Sequence, residues 1–348
     1  MNGKVRRNAK TAFVCVMFII IVSLFFYLLT AGTMPKYVDI SSADKIADVD
    51  LSKEGVGIDI SSGEYYTGRL YTPDDFAKGD ISQGDPDDKY ATFRIVLPLE
   101  KGVTYGLSGE TATYAQQVYI DGKLLSEVGK VSDNAEEFVP ATDRYTLYFT
   151  AQADTAEIII RHAWFNHRTG TIQKLCLAKA PLISANDRAQ TVSDGLIAGT
   201  LLAMAIFFFG MFLLGNRKRS MMWFSLSCLT AALHYLIYES KQIGVLFPYL
   251  DWYTEHKLEY ITNILYFVFI LLYAFAALRL RPHKHFVVTS ICSAGAILLF
   301  YIFTPSTVYT HFTVVAGAVM AVYLILSSAY ICVPTFALCV LLVKSPFE

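Results

Sequence analysis

Apolar positions follow two regimes along this chain. From residue 191 they gather into long runs at 191–214, 221–238, 258–278 and 286–303. A helix crosses a hydrocarbon core with about 20 mostly apolar residues, and no irregular backbone can face lipid with its polar groups unsatisfied. Each run is therefore expected to be a membrane-spanning helix. A further run at 312–343 is too long for one upright span and short for two, with Ser327, Ser328 and Pro334 as candidate breaks, so one tilted, kinked span and two spans are both open. Near the start, Lys4, Arg6, Arg7 and Lys10 precede an apolar run at 11–31, the charged-then-apolar pattern of an export signal. No small-x-small cleavage site follows, since Leu29 stands two residues before Ala31. An uncleaved anchor is expected, with a cleaved signal as the alternative.

Between these regions the period changes to two. Residues 90–97, 117–120, 144–149 and 156–161 alternate as strands do. Turn signals separate them at Lys101-Gly102, Asp121-Gly122, Gly129 and Asp143. Asp121-Gly122 between VYI and KLL is the strongest short hairpin signal in the chain. Several short strands at this spacing predict an antiparallel β-sandwich of the jelly-roll kind. The expected organisation is a tail and anchor at 1–35, a β-sandwich at 36–185 and a helical membrane domain at 186–348. The joint at 181–190 is short and lacks glycine, so it is expected to be stiff. Asp187 and Asp194 are expected to cap the start of the first span.

Composition and charge refine this picture. The mean hydropathy of +0.41 is high for a soluble protein and low for an all-membrane one, because two unlike halves are averaged. Residues 32–192 carry 16 Lys and Arg against 24 Asp and Glu. Basic residues elsewhere cluster in short loops, Arg217 to Arg219 and Arg279, Arg281 and Lys284. Those loops are expected on the cytoplasmic side, which puts 239–257 and the β-sandwich outside. Juxtamembrane clusters of this kind give no reason to expect nucleic-acid binding. Cys176 is the lone cysteine of the polar region, the others lying in apolar runs, so no disulfide is expected within the sandwich.

Candidate chemistry is sparse. Trp164, His167 and Arg168 share a polar turn, where an aromatic ring beside a planar cation can stack on a sugar or clamp an anion. The plainer reading is a structural turn with Trp164 in the core. Asp74, Asp75, Asp80, Asp85, Asp87 and Asp88 form an acidic stretch whose spacing matches no calcium loop, so a solvated loop is favoured. His234 and Glu239 lie near the outer end of the second span, where ionisable groups are candidates for signalling. There is no P-loop, no G-x-S-x-G and no H-E-x-x-H. No catalytic activity, cofactor or metal is expected within these residues.

Four segments in series carry a resemblance: GEYYTGRLYTPDDF at 63–76, ATFR at 91–94, VYIDGKLLSEVG at 118–129 and AWFNHRTG at 163–170. Gly195 and Gly199 in the first span, Arg217 in the first inner loop and Tyr238-Glu239-Ser240 closing the second span continue it. In this order the chain resembles bacterial seven-transmembrane receptors with diverse intracellular signalling modules, 7TMR-DISM. No single motif is specific; the serial match is. The resemblance implies an extracellular galactose-binding-like jelly roll, a helical bundle with a fifth span ending near Ile331 and a sixth beginning at once, and beyond Glu348 a last helix and an output module such as a diguanylate cyclase or histidine kinase. Ala163 stands where the family has Asn, Thr171 where it has a second Gly, and Asp121 where the hairpin has Asn. The turn is expected to keep its shape while any ligand contact through the family's Asn is lost, and Asp121 stays a candidate with Trp164, His167 and Arg168.

The expected function is a multi-pass plasma-membrane receptor whose outer sandwich senses a small molecule, with carbohydrate the leading class, and signals through the bundle. Its partners would be that ligand and the bilayer, with room for a homodimer. The alternative is a transporter or envelope-polymer assembly protein with a carbohydrate-binding outer domain. That reading wants charged groups at mid-span and discontinuous helices, and the spans offer few.

Overall fold

The computed structural model describes residues 36–40, 56–60, 63–79, 81–167, 170, 175–215, 217–277 and 284–344. The anchor at 11–31, Asp80, Arg168, Thr171 and the basic residues Arg279 and Arg281 lie outside the described residues.

The strands are β1 Lys36–Ile40, β2 Val56–Ile60, β3 Glu64–Thr67, β4 Tyr90–Pro98, β5 Thr104–Ile120, β6 Lys123–Val128, β7 Ala141–Thr150, β8 Thr155–Ala163 and β9 Leu175–Lys179. A short helix α1, Pro73–Lys78, sits between β3 and β4. β1 pairs parallel with β2, and the other pairings are antiparallel. The organising strand is β5. Its first half pairs with β7 and β9, and its second half with β6 and β8. The register shifts between Thr111 and Tyr114, so one strand bends out of one sheet and into the other, as a bulge allows. The result is a curled sandwich whose two layers share a strand.

The alternating pattern sets what faces inward. Phe93, Ile95 and Leu97 of β4 stand opposite Ile160, Ile158 and Ala156 of β8, and all enter one core with Ile58, Leu107, Val118, Leu175 and Leu177. Asp121 and Gly122 form the two-residue turn between β5 and β6, with φ of 48° and 78°. Both values are positive, as a type I′ hairpin requires. The first half of β5 did not read as a strand because Gly106 and Gly109 look like breakers. Gly106 has a packing reason: a Cβ there would lie 2.9 Å from the Ile183 side chain.

Ile183 belongs to the helix that leaves the sandwich. α2, Ala180–Leu214, follows β9 directly and has Pro at its start, where the missing N–H costs nothing. At 1.5 Å per residue its 35 residues extend roughly 52 Å, well beyond a core of about 30 Å. The expected stiff joint is thus continuous helix. Asp187 and Asp194 lie inside it rather than at its start, which corrects the capping expectation.

α3, Arg219–His234, runs into a π-helical turn at Tyr235–Glu239, followed by the short helix α4, Ile243–Leu246. α5 is Trp252–Ala277, α6 Lys284–Phe303 and α7 Ser306–Lys344. Five helices among the described residues are long and apolar enough to cross a membrane, and the four spans expected before residue 304 are among them. The fifth differs from expectation. α7 is one helix of 39 residues, with no break at Ser327, Ser328 or Pro334. A proline removes a single backbone donor from the ladder, and in lipid the remaining groups have no partners outside the helix.

Candidate functional site

Trp164 follows the end of β8, its backbone N–H donating to Lys89 O at 2.8 Å. Its ring is buried and stacks on His162, centroids 5.0 Å apart and planes 22° apart. Gly170 lies against the same indole, where a Cβ would come within 1.9 Å of the ring. His162 is fully buried. Tyr65 Oη donates to Gly170 O at 3.0 Å and accepts from His162 Nε2 at 2.7 Å. Nδ1 then has no partner among the described residues. His167, in the half-buried turn beyond, donates its backbone N–H to Trp164 O at 3.1 Å.

This cluster is sensitive to pH. Burial pushes the His162 pKa down to about 4 from 6.5, since a charged ring would be desolvated. The unfolded chain therefore binds more protons between those values. The stability contributed by the neutral ring is full above pH 6.5 and is lost as pH falls toward 4, up to roughly 3 kcal/mol. Trp164 is the only tryptophan in residues 36–185, so its fluorescence follows this segment alone. Residues 36–185 are expected to melt several degrees lower at pH 5 than at pH 7.5 by that signal. His162→Gln should flatten the difference. An unchanged pH slope in that variant would assign the effect elsewhere.

Asp121 sits at the far end of β8 from Trp164. Its backbone N–H donates to Glu157 O, and its Oδ1 accepts from Glu157 N, both at 2.9 Å. The carboxylate clamps the hairpin to β8, and the two predicted positions are not brought together.

The polar face of β3, β4, β8, β5 and β6, opposite the core, collects groups that sequence reading passed over. Arg94 Nε donates to Glu157 Oε1 at 2.7 Å, and its NH1 to Glu64 Oε2 at 2.9 Å. Arg161 NH1 donates to Gln117 Oε1 at 2.9 Å, and Gln117 Nε2 to Glu127 Oε1 at 2.8 Å. Arg161 Nε is buried with no partner among the described residues. Residues 71–76 pack at one end of this face. There Phe76 of α1 lies under the Arg94 guanidinium at 4.8 Å and packs edge-on with Tyr66 and Tyr71. Of the acidic stretch, Asp75 Oδ2 accepts from Thr72 N and Oγ1, a helix-capping arrangement. Among the described residues no cluster has the makings of a metal site.

A second site joins sandwich to helices. Arg144 of β7 reaches Asp194 of α2, NH1 to Oδ2 at 3.3 Å, and donates from NH2 to the Glu239 carbonyl at 2.7 Å. Tyr235 Oη donates to Asp194 Oδ1 at 2.7 Å. The Asp194 side chain is only 10% exposed. Beside it, Lys241 Nζ pairs with Glu110 Oε2 of β5 at 2.9 Å, its side chain 6% exposed. Lys241 has φ of 54°, a left-handed conformation that costs roughly 1–2 kcal/mol in a residue with a Cβ. Asn166 Nδ2 adds a bond to Tyr253 Oη at 3.1 Å. The loop after the second span therefore sits on the sandwich side of the bundle.

His234 and Glu239 do not meet. His234 stacks on Tyr238, and its Nδ1 lies 3.2 Å from Glu259 O and 3.3 Å from Thr262 Oγ1. Glu239 contributes its carbonyl to Arg144. Arg144 and Lys241 were missed because a charge on the polar face of a strand, or in an aqueous loop, has no periodic signature. Their partners are distant in the chain.

Residues 190–341 match the family described as 7TM diverse intracellular signalling. No curated protein matches the chain. Among solved structures, the PA14 sugar-binding domain from an RTX adhesin is 15% identical over 40% of this chain and 80% of its own, with a TM-score of 0.20. A β-glucosidase from Kluyveromyces marxianus is 11% identical over 30% of this chain, with a TM-score of 0.20; the chain spans 13% of that protein's length. At that score neither likeness bears on the ligand.

Proposed function

From the match of residues 190–341 to the 7TM diverse intracellular signalling family, we propose that the chain is a transmembrane signalling receptor whose β-sandwich is the extracellular sensor and binds a small polyhydroxylated ligand, a carbohydrate, on the face carrying Arg94, Gln117, Glu127, Glu157 and Arg161. The single observation that carries this reading is the Arg161 Nε, a buried donor with no acceptor among the described residues. Such a group is costly to leave unpaired, and a ligand hydroxyl would complete it. Alternating donors and acceptors along the strands match the hydroxyls of a sugar ring. Tyr66, Tyr71 and Phe76 supply an apolar border. Occupancy of the face would move β4, β8 and β5, and β5 also carries Glu110 at the junction with the helices.

The test is a saccharide panel against residues 36–185, read by saturation-transfer NMR. At least one saccharide is expected to bind, and Arg161→Ala to weaken it by at least tenfold, about 1.4 kcal/mol. His167→Ala and Arg168→Ala report separately on the loop beyond β8. Binding that survives Arg161→Ala and fails in the loop variants would move the site to that loop. A panel with no binder would sink the carbohydrate reading.

A further inference from the structure

We propose that one acyl chain of a phospholipid, from the leaflet on the sandwich side, occupies the cleft beneath the loop between the second and third spans. The proposal rests on the membrane placement of the receptor reading and not on the identity of its ligand. The cleft holds about 580 Å³ and is walled by Leu233, Ile237, Ile243, Leu246, Leu258 and Thr262. Its size falls within the range of roughly 300–1,000 Å³ typical of ligand pockets. The walls select hydrocarbon. Five of those six side chains are aliphatic, and the Thr262 hydroxyl already donates to Leu258 O at 2.7 Å. A polar ligand would lose its hydration there, and the other hydroxyl on the lining, that of Tyr249, stands out in solvent rather than in the cleft.

Depth and rim point to the bilayer as the source. Thr262 lies ten residues into α5 from Trp252, about 15 Å along the axis at 1.5 Å per residue. That is acyl-chain depth in a core about 30 Å thick. At the mouth, Leu246, Phe247 and Tyr249 are exposed, Tyr249 completely at 101%. Aromatic and apolar groups held out this way settle at the headgroup boundary of a membrane.

Occupancy would bear on the junction. Ile237 lies within the π-helical turn that ends at Glu239, whose carbonyl Arg144 holds. Ile243 follows Lys241 by two residues. A chain seated between them fixes the loop that bears both contacts to the sandwich.

The experiment uses the full chain, reconstituted in nanodiscs of phosphatidylethanolamine and phosphatidylglycerol and then exchanged into detergent. Native mass spectrometry should find one phospholipid retained per chain. Leu258→Trp and Ile243→Trp fill the cleft and should each lower retention about tenfold. Leu299→Trp, on the exposed face of α6, should leave it unchanged. In the unmodified chain, a phospholipid with a mid-chain diazirine should label Leu233 or Ile237, which needs no variant to fold. No retained lipid, retention indifferent to both filling variants, or labelling that spares the cleft would overturn the proposal. So would a retained free fatty acid, or a second copy of the chain in place of lipid. None of these readouts involves signalling, so failure here leaves the receptor reading standing, and failure of the saccharide test leaves this one standing.

Discussion

Arg144→Ala will release the sandwich from the first span. The substitution removes the cation from Asp194 and the donor from the Glu239 carbonyl. Among the described residues Asp194 is left with Tyr235 as its partner, in a site where its side chain is 10% exposed. Stranding one member of a largely buried pair typically costs about 3–5 kcal/mol, and here the cost falls on the docked arrangement. Hydrogen exchange should rise in residues 190–200 and 239–243 while the core strands β4 and β8 stay protected. The effect has a signature that plain damage lacks. Asp194→Asn removes the stranded charge, so the double variant should be less perturbed than the sum of the two single ones. A coupling energy under about 0.5 kcal/mol would mean the two groups act independently, and the junction would then not rest on this pair. Lys241→Ala should do less, because its partner Glu110 is 37% exposed and can recover water.

A Gly-Ser-Gly-Ser insert after Ala185 will uncouple the two halves more completely. α2 is continuous helix from Ala180, anchored in the sandwich by Ile183 at 1% exposure and leading straight into the membrane. Such a rod transmits rotation and translation. Glycine costs about 1 kcal/mol per residue in a helix interior, so the insert turns the rod into a tether. Binding of a saccharide found by titration should persist. The response of a fluorescent probe at Arg217, at the far end of the first span, should vanish. A four-alanine insert separates stiffness from register: it keeps the helix but displaces Asp194 by about 6 Å along the axis, breaking the Arg144 contact. Were the probe to respond equally with and without the Gly-Ser insert, α2 would not be the transmitting element. Ligand could shift the bundle only through a difference in affinity between its two arrangements, so the size of the probe response also bounds that difference.

The substitution and the insertion act on features that the chain's own order hides to different degrees. The spans at 191–214, 221–238, 258–278 and 286–303 were legible because the bilayer imposes one length and one polarity on every segment inside it. The strands at 90–97 and 156–161 were legible because a half-buried strand must alternate, and the Asp121-Gly122 hairpin because few residues accept two successive positive φ values. These are local constraints, written within a few residues of where they act. β5 was legible only in its second half. Gly106 and Gly109 argue locally for a break, while tertiary packing against Ile183 and Tyr145 requires them in a strand. The run at 312–343 stayed open between one kinked span and two for a related reason: a proline is a local signal to stop, and in α7 the helix continues through it. Trp164 was found by its chemistry, but whether its ring faces solvent or His162 depends on Gly170 and Tyr65, the latter about a hundred residues away. The sequence by itself determined which segments enter lipid, which form a sandwich, and that no familiar catalytic motif is present. Only the tertiary structure decided that Arg144 meets Asp194 and Lys241 meets Glu110, because a charge pair across 50 or 131 residues leaves no periodicity in the chain; it exists only once two independently specified elements have been packed side by side.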